Sequence, residues 1–493
     1  MINNKTVNDF YSSLLETIKN SKEVVYRYYD KSYTYQELYS YMLMSHSLLS
    51  HYKRKQVVLY ASKELPTYAT IFSIFLSNNI WLPLSPENPE SRNQEILKQA
   101  EPALVIHDGT LPESLLKYFS EKNIECVTFD EAFSCNEKKE FESGVFKKDD
   151  IAYIMFTSGS TGTPKGVPMS HENYINFIRN VLKILPFGKN EVFSDFHDFA
   201  FDISIFYLFA CPLTQGAFSP IIEEKDKIIP INHIQSNDIT VWSSVPSVIN
   251  RIRAFRPNND VDTPIKIMFL CGEPLKFDVL KYCFHNMGLE NIYNFYGLTE
   301  TGVENFYHQC KKEDVKKYDK FGVSPIGKPL KGNEIRVTDE KELYIGGVQV
   351  TKGYLGGRSP EKFEEKDGIL WCKTGDIVEK EGEVYFCKGR LDSQVKLSGY
   401  RVELMDIETH IRKIESVEEA VCFVEEVNRR TSLIAAIKAK VKMDIKTIQS
   451  ELKKRLPVYM IPKDIYYLDN IPLTNSGKID KKKVRLIYSR NNS

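Results

Sequence analysis

Between residues 56 and 270, short apolar runs alternate with amphipathic stretches. The runs are VVLYAS (57–62), IWLPLS (80–85), ALVIHD (103–108), ITVWSSV (239–245) and IKIMFLCG (265–272). Each has the length and the β-branched or aromatic content of a buried strand, and the intervening stretches suit helices. This alternation predicts α/β layering with mostly parallel sheets, because parallel strands need a crossover between them. The preceding segment, 5–55, reads as helix, hairpin, helix. After about residue 320 the texture changes to short strand-like segments, EIRVTD, KELYIGG, ILWCKTGD and EVYFCKG, separated by Gly or charged turns. That pattern predicts an antiparallel β subdomain. Beyond Asp392 the chain reads as a strand pair, a helix near 404–415, the strands AVCFVEE and SLIAAIKAK, and a helix near 444–456. The expected fold class is therefore α/β. A large N-terminal domain of layered sheets plus a β subdomain (1–391) is followed by a small α+β domain (392–493) of ordinary domain size.

Composition narrows the function classes. At 493 residues the chain is too long for one compact core. Lys plus Arg and Asp plus Glu are 66 each, and a zero net charge disfavours global nucleic-acid binding. Nine cysteines are scattered without a CxxC pair, which predicts reduced thiols and no zinc framework. The N-terminus MINNKTVNDFYSS shows no apolar signal core, and the apolar stretches are interrupted by Asn78 and Asn79 or by Asp202. No membrane insertion and a cytoplasmic location are expected. The basic tail from Lys478 to Arg490 reads mainly as a solvated surface.

The most informative segment is IAYIMFTSGSTGTPKG (151–166). An apolar strand runs into Thr157, Ser158, Gly159, Ser160, Thr161, Gly162, Thr163, Pro164 and Lys165. Glycines let backbone N–H groups turn inward around an anion, hydroxyls add donors, and Lys165 adds charge. The order G-x-x-x-x-G-K-[ST] of a Walker A loop is absent.

This loop resembles the signature of the adenylate-forming superfamily, which includes acyl-CoA synthetases, luciferases and the adenylation domains of peptide synthetases. Further motifs carry the resemblance in order. Phe201-Asp202-Ile203-Ser204 is similar to FDxS, and Asn294–Glu300 to NxYGPTE, with Leu298 in place of Pro. ELYIGGVQVTKGYL (342–355), Lys373-Thr374-Gly375-Asp376, GRLDSQVKLSGYRVEL (389–404), LPVYMIP (456–462) and TNSGKID (474–480) complete the series.

The resemblance implies a two-step reaction. A carboxylate attacks the α-phosphate of ATP and pyrophosphate leaves; a thiol then takes the acyl group from the adenylate. It implies that the 157–166 loop holds the β- and γ-phosphates, that Thr299 donates to the α-phosphate, and that Glu300 holds Mg²⁺. Tyr296 stacks on adenine, Asp376 accepts the ribose hydroxyls, and Arg390 sits close by. Lys478 bridges the substrate carboxylate and the phosphate in the first step. Asp392 is the hinge, about which the small domain moves to withdraw Lys478 and admit the thiol. Asp202 pairs with an α-ammonium, so the resemblance implies an amino acid substrate.

The same resemblance gives an acyl pocket of Asp202, Ile203, Phe206, Ser243, Phe269, Cys271, Phe295, Val303 and Glu304, with Phe201 as its gate. FLCGEPL and FCKGRLDSQVKLSGYRVEL resemble the D-alanine–carrier protein ligase branch, which points to a small substrate. Phe295 and Glu304 depart from that branch and imply a reshaped pocket, so D-alanine and another amino acid both stay open. Glu304 either pairs with a cationic side chain or points to water. No carrier segment is recognised, so the expected acceptor is the phosphopantetheine thiol of a separate carrier protein. Two other readings remain: an acid–CoA ligase using coenzyme A, against which Asp202 argues, and a catalytically silent binding homologue, against which the intact Lys165, Glu300, Asp376 and Lys478 argue.

Overall fold

A computed structural model of the chain describes residues 2–134, 140–159, 163–257, 260–391, 394–397, 399–427, 430–472 and 479–491. The chain divides into two compact units. The first comprises Met1–Pro86, Gln99–Phe156 and Gly166–Leu391; the second comprises Glu87–Lys98, Thr157–Lys165 and Asp392–Ser493.

The first unit opens as the pattern predicts, with a helix at Asn4–Asn20, the antiparallel strands Val24–Tyr28 and Lys31–Thr34, and a helix at Tyr35–Leu49. A capping box starts that second helix: Glu37 N–H donates to Thr34 Oγ1 at 3.3 Å, and Thr34 N–H donates to Glu37 Oε2 at 2.7 Å. The apolar runs become strands Gln56–Tyr60, Ile80–Pro83, Leu104–His107, Val241–Ser244 and Ile267–Leu270. The first three belong to a six-stranded sheet ordered Glu125–Thr128, Leu104–His107, Gln56–Tyr60, Ile80–Pro83, Ile151–Thr157, Lys165–Ser170. The other two belong to a nine-stranded sheet, whose six middle strands are Asn291–Tyr296, Ile267–Leu270, Val241–Ser244, Val192–Asp195, Ala217–Pro220 and Val24–Tyr28. These six are parallel to their neighbours, and antiparallel strands close both edges.

The helices Leu65–Leu76 and Ser204–Leu213 are buried almost all round. Their sequences are accordingly apolar on every face, as a helix enclosed between layers must be. They and strand residues of both sheets, such as Leu59, Leu104, Phe193 and Phe269, share one continuous apolar core. A second core covers the opposite face of the nine-stranded sheet, where Trp242, Met268 and Leu270 meet the helices Pro246–Phe255 and Phe277–His285. The five-stranded antiparallel sheet beyond residue 330 is built on the 13-residue strand Ile369–Glu381.

In the second unit the hairpin Gln394–Leu397/Tyr400–Glu403 leads to the helix Leu404–Arg412. A three-stranded sheet follows, of Val417–Val427, Arg430–Ala439 and Asp464–Tyr467. Two elements correct the sequence reading. The strand Asp464–Tyr467, which had no alternation to mark it, pairs parallel to Arg430–Ala439. The tail expected to be a solvated surface is a helix, Lys481–Asn491, that buries Val484 and Tyr488. These residues, four apart on one helical face, share an apolar core with Val421, Phe423 and Ile434.

Candidate active site

Two groups of predicted residues meet in the first unit. At one, the strand Asn291–Tyr296 ends on Tyr296, and Asp376 lies opposite Arg390 in the register of neighbouring strands. Arg390 donates through Nη1 to Asp376 Oδ1 at 2.7 Å and through Nη2 to the Thr374 carbonyl at 3.0 Å. The Tyr296 hydroxyl donates to Asp376 Oδ2. Burial, and then the Asp376 charge, push the Tyr296 phenol well above its ordinary range, so it stays a protonated donor. Asp376 is only 2% exposed, and its carboxylate is fixed by these donors. The Tyr296 ring packs edge-on against Phe306, 5.8 Å away.

Thr299 and Glu300 sit on a 3-10 turn, Thr299–Thr301. Glu300 is buried, and Tyr354 donates its hydroxyl to Glu300 Oε1 at 2.6 Å. A fully buried side chain, Gln349, donates to the carbonyls of Thr301, Gly302 and Glu304 at 3.2, 3.0 and 2.8 Å. This clamp shapes a tight reversal. A Cβ on Gly297 would lie 2.2 Å from the Val303 carbonyl oxygen, so only glycine fits there. Val303 itself has φ of 76°, a conformation that costs a β-branched residue about 1–3 kcal/mol.

The second group lies at the start of the helix Ser204–Leu213. Asp202 accepts the Ile205 N–H at 3.0 Å through its carbonyl, and its carboxylate raises the already buried phenol of Tyr153 further. Ile203, Phe206, Phe269, Cys271, Phe295 and Val303 belong to one continuous apolar cluster, with Phe201 packed against it. Three of the rings form a stack. Phe206 and Phe269 lie 4.4 Å apart at 21°, and Phe269 and Phe295 lie 4.0 Å apart at 11°. Strand pairing explains the alignment: Ser243 pairs with Phe269 and Leu270 with Asn294, so Ser243, Phe269, Cys271 and Phe295 face the same side of the sheet. Among the described residues, Ser243 Oγ is buried with no hydrogen-bond partner. Glu304 is 5% exposed and has interactions of its own within the protein, so neither a substrate cation nor water is needed to account for it.

In the second unit, Thr157, Ser158, Gly159, Thr163 and Lys165 belong to the described part of the loop. A Cβ on Gly159 would lie 2.2 Å from the Thr163 carbonyl oxygen, so the loop closes on a glycine. Ser158 Oγ accepts the Glu403 N–H at 3.3 Å. Ser160, Thr161, Gly162, Asp392 and Lys478 lie outside the described residues.

Three supports were missed from the sequence: Tyr354, Gln349 and a buried ion pair. Lys63 donates to Asp195 Oδ1 at 2.6 Å and to the carbonyls of Asp195 and His197 at 3.0 and 2.5 Å. Tyr68 donates to the other Asp195 oxygen. The pair pins the segment that leads into Phe201 and Asp202. Its members are 132 residues apart, so no local pattern marks them.

Residues 17–355 match the AMP-binding enzyme family, and residues 406–478 match the AMP-binding enzyme C-terminal domain. A D-alanine–D-alanyl carrier protein ligase of Staphylococcus aureus is 30% identical over 480 residues, spanning 94% of this chain and 96% of its own. Two solved structures share the fold. The Vibrio cholerae adenylation domain AlmE, in complex with glycyl-adenosine-5'-phosphate, has a TM-score of 0.81 and 23% identity over 97% of this chain and 98% of its own. The amide bond synthetase McbA of Marinactinospora thermotolerans has a TM-score of 0.84 and 17% identity over 97% and 99%. The ordered motifs and these matches agree, and the chain belongs to the AMP-binding enzyme family as an AMP-forming ligase.

Proposed function

We propose that the enzyme activates a small amino acid as its aminoacyl-adenylate and passes it to the phosphopantetheine thiol of a separate carrier protein. The observation that carries the substrate class is the Asp202 carboxylate, close enough to act on the buried Tyr153 phenol, at the start of the helix whose Phe206 begins a stack of phenylalanine rings. A carboxylate next to an apolar wall suits an α-ammonium whose own side chain is small and uncharged. The carrier is supported by the name of the S. aureus relative, and D-alanine heads the panel of substrates for the same reason.

In the first step a carboxylate oxygen of the amino acid bonds to the α-phosphorus of ATP. The bond to the bridging oxygen breaks, and pyrophosphate leaves with its electron pair. Asp376, oriented by Arg390 and Tyr296, accepts the ribose hydroxyls, and the Tyr296 ring lies along adenine. Thr299 donates to the α-phosphate, while the 157–165 loop and Lys165 hold the outer phosphates. Lys478 offsets the charge that grows as the new bond forms. In the second step the thiol sulfur bonds to the acyl carbon, AMP leaves, and the thiol proton goes to solvent.

Mg²⁺ fits Glu300, an oxygen donor fixed by Tyr354. Among the described residues no cluster of three or more ligating side chains exists, which suits an ion that takes one carboxylate plus phosphates and water. When bound, it supplies positive charge at the phosphates. Residues 1–391 supply the nucleotide and amino acid sites, and 392–493, hinged at Asp392, supply Lys478.

Amino-acid-dependent exchange of pyrophosphate into ATP tests this reading, with both hands of alanine, glycine, serine, proline, lysine and arginine as the panel. Exchange with the small members is expected. Exchange with none of the panel refutes the reading.

A further inference from the structure

One short turn carries both ends of the proposed reaction. Thr299 and Glu300 stand at its phosphate end, and Val303 and Glu304 at its acyl end. Gly302 and Val303 are successive left-handed residues, with φ of 72° and 76°. The backbone therefore reverses sharply, and the carbonyls of Thr301, Gly302 and Glu304 converge on one nitrogen, Gln349 Nε2. That nitrogen carries two hydrogens, so one of them is shared between carbonyls. The other end of the amide is fixed as well. Gln349 Oε1 accepts from Asn176 Nδ2 and from Asn333 Nδ2, each at 2.9 Å, which settles which end of the amide faces the turn. Asn333 Oδ1 accepts from Asn305 Nδ2 at 3.1 Å, and Asn305 Nδ2 also donates to the Thr301 carbonyl at 2.7 Å. Two residues beyond Gln349, the Thr351 N–H donates to the Glu300 carbonyl at 2.9 Å. Thr301, Asn305, Asn333 and Gln349 are all buried, so solvent does not make up for a lost donor.

We propose that Gln349 is a positioning residue that keeps the two substrates in register, by holding the phosphate end and the acyl end of this turn as one rigid piece. The inference rests on the adenylation reading above. Gln349 acts through backbone carbonyls rather than through either substrate. In-line attack needs the carboxylate oxygen close to the α-phosphorus and aligned with it, and a misplacement of about 1 Å can cost about 10²-fold. A turn with a left-handed valine is strained and relaxes unless its surroundings hold it. The Gln349 amide supplies three of the contacts that hold it, on both sides of the reversal. A support of one end alone would reach one side. Without the amide, the Gly302 and Glu304 carbonyls stay buried and lose this donor. The two ends then shift together, because the same few residues link them.

The test uses the full chain and pyrophosphate exchange with the amino acid of the panel that the parent exchanges best. Gln349→Met keeps the length of the side chain and removes its donors. Asn176→Ala is milder: it removes one of the two donors that orient the amide, from a half-buried position on the helix His171–Ile184. For each variant kcat, the KM for ATP and the KM for the amino acid are read, and circular dichroism reports the folded fraction. Gln349→Met is expected to lower kcat about tenfold or more and to raise both KM values about threefold or more. Asn176→Ala should move the same three quantities in the same directions by less. A residue that merely supports the fold would reduce the folded fraction, and so kcat, with both KM values unchanged; that result overturns the proposal. A rise in only one KM also overturns it, because the two ends would then not be coupled. If Gln349→Met does not fold, Asn176→Ala decides by the same two KM values. Unchanged constants in the variants of an active parent leave the adenylation reading intact, whereas a parent that exchanges with no amino acid of the panel refutes that reading and this proposal together.

Discussion

The two compact units differ in how they hold their charged groups. In the first, Asp376, Glu300 and Glu304 are at most 5% exposed, and partners from other strands and turns orient the first two. A buried carboxylate needs such partners, because its desolvation is costly unless donors replace water. The second unit has a smaller core and also buries carboxylates, Glu403, Asp406 and Glu408, so the contrast lies in what it displays at its surface. Lys453 and Lys463 are exposed, and the helix Lys481–Asn491 attaches through Val484 and Tyr488 while Leu486 stays 58% exposed. The difference teaches where each kind of specificity can live. Choosing a nucleotide and an acid needs fixed, water-excluded groups. Meeting a partner and delivering a lysine need accessible charge on a small body.

The sharpest way to break this contrast is Lys478→Ala. Pyrophosphate exchange is expected to fall by about 10²–10³, while calorimetry finds the thermal transition nearly unchanged. A matching loss of stability would mean that Lys478 supports the fold, and the contrast would fail.

Asp376→Ala should do the opposite and damage both function and fold. It leaves Arg390 and Tyr296 without their shared acceptor, so urea unfolding should give a stability loss of about 3 kcal/mol. The KM for ATP should rise by about tenfold or more. A rise in KM with no stability loss would show that the pair is not a support.

The acid limb of stability probes the first unit further. Burial, helped by Arg54 and Lys63 respectively, pushes His171 and His197 down to about 3. The unfolded chain takes up protons on these histidines as pH falls through about 6.5. The folded chain does so only near 3, so their contribution is complete above 6.5 and is lost as pH falls below it. Between pH 7.5 and 5.0 the unfolding free energy should drop by roughly 2 kcal/mol per histidine. His171→Gln should remove about half of that drop. A drop unaltered by the substitution would assign the acid sensitivity to other groups.

Phe295→Leu is the mildest test. It conserves most of the volume and should cost about 1 kcal/mol. It also breaks the three-ring stack, so exchange should shift toward amino acids with larger side chains. An unchanged preference over the panel would remove the stack from the selectivity of the site.

Much of this was legible in the sequence. Alternation of apolar runs over 56–270 predicted the parallel strands, because burial on both faces demands continuous apolar segments. The family resemblance of the ordered motifs pointed to Tyr296, Asp376 and Arg390, and the fold brings their side chains together. The resemblance did not point to the supports. Tyr354 reaches Glu300 across 54 residues, and Lys63 reaches Asp195 across 132. Nothing local distinguishes such residues from surface polar groups, because the partner that makes each one structural arrives only with the fold. The C-terminal helix was misjudged for a related reason. Its five basic residues masked a two-residue apolar face, and only the sheet opposite makes that face a core.

The sequence by itself determined the class of chemistry, the order of the motifs and the α/β layering. The layering depends on residue type and periodicity, which are local properties, and the class of chemistry was implied by the resemblance that the ordered motifs carry. The tertiary structure decided that Asp376 is locked by Arg390 and Tyr296, that Glu304 is buried, and that three phenylalanines from one helix and two strands stack into a single wall. These depend on strand register and on which faces meet. Register is set by the packing of the whole sheet, so residues far apart in the chain acquire their roles together.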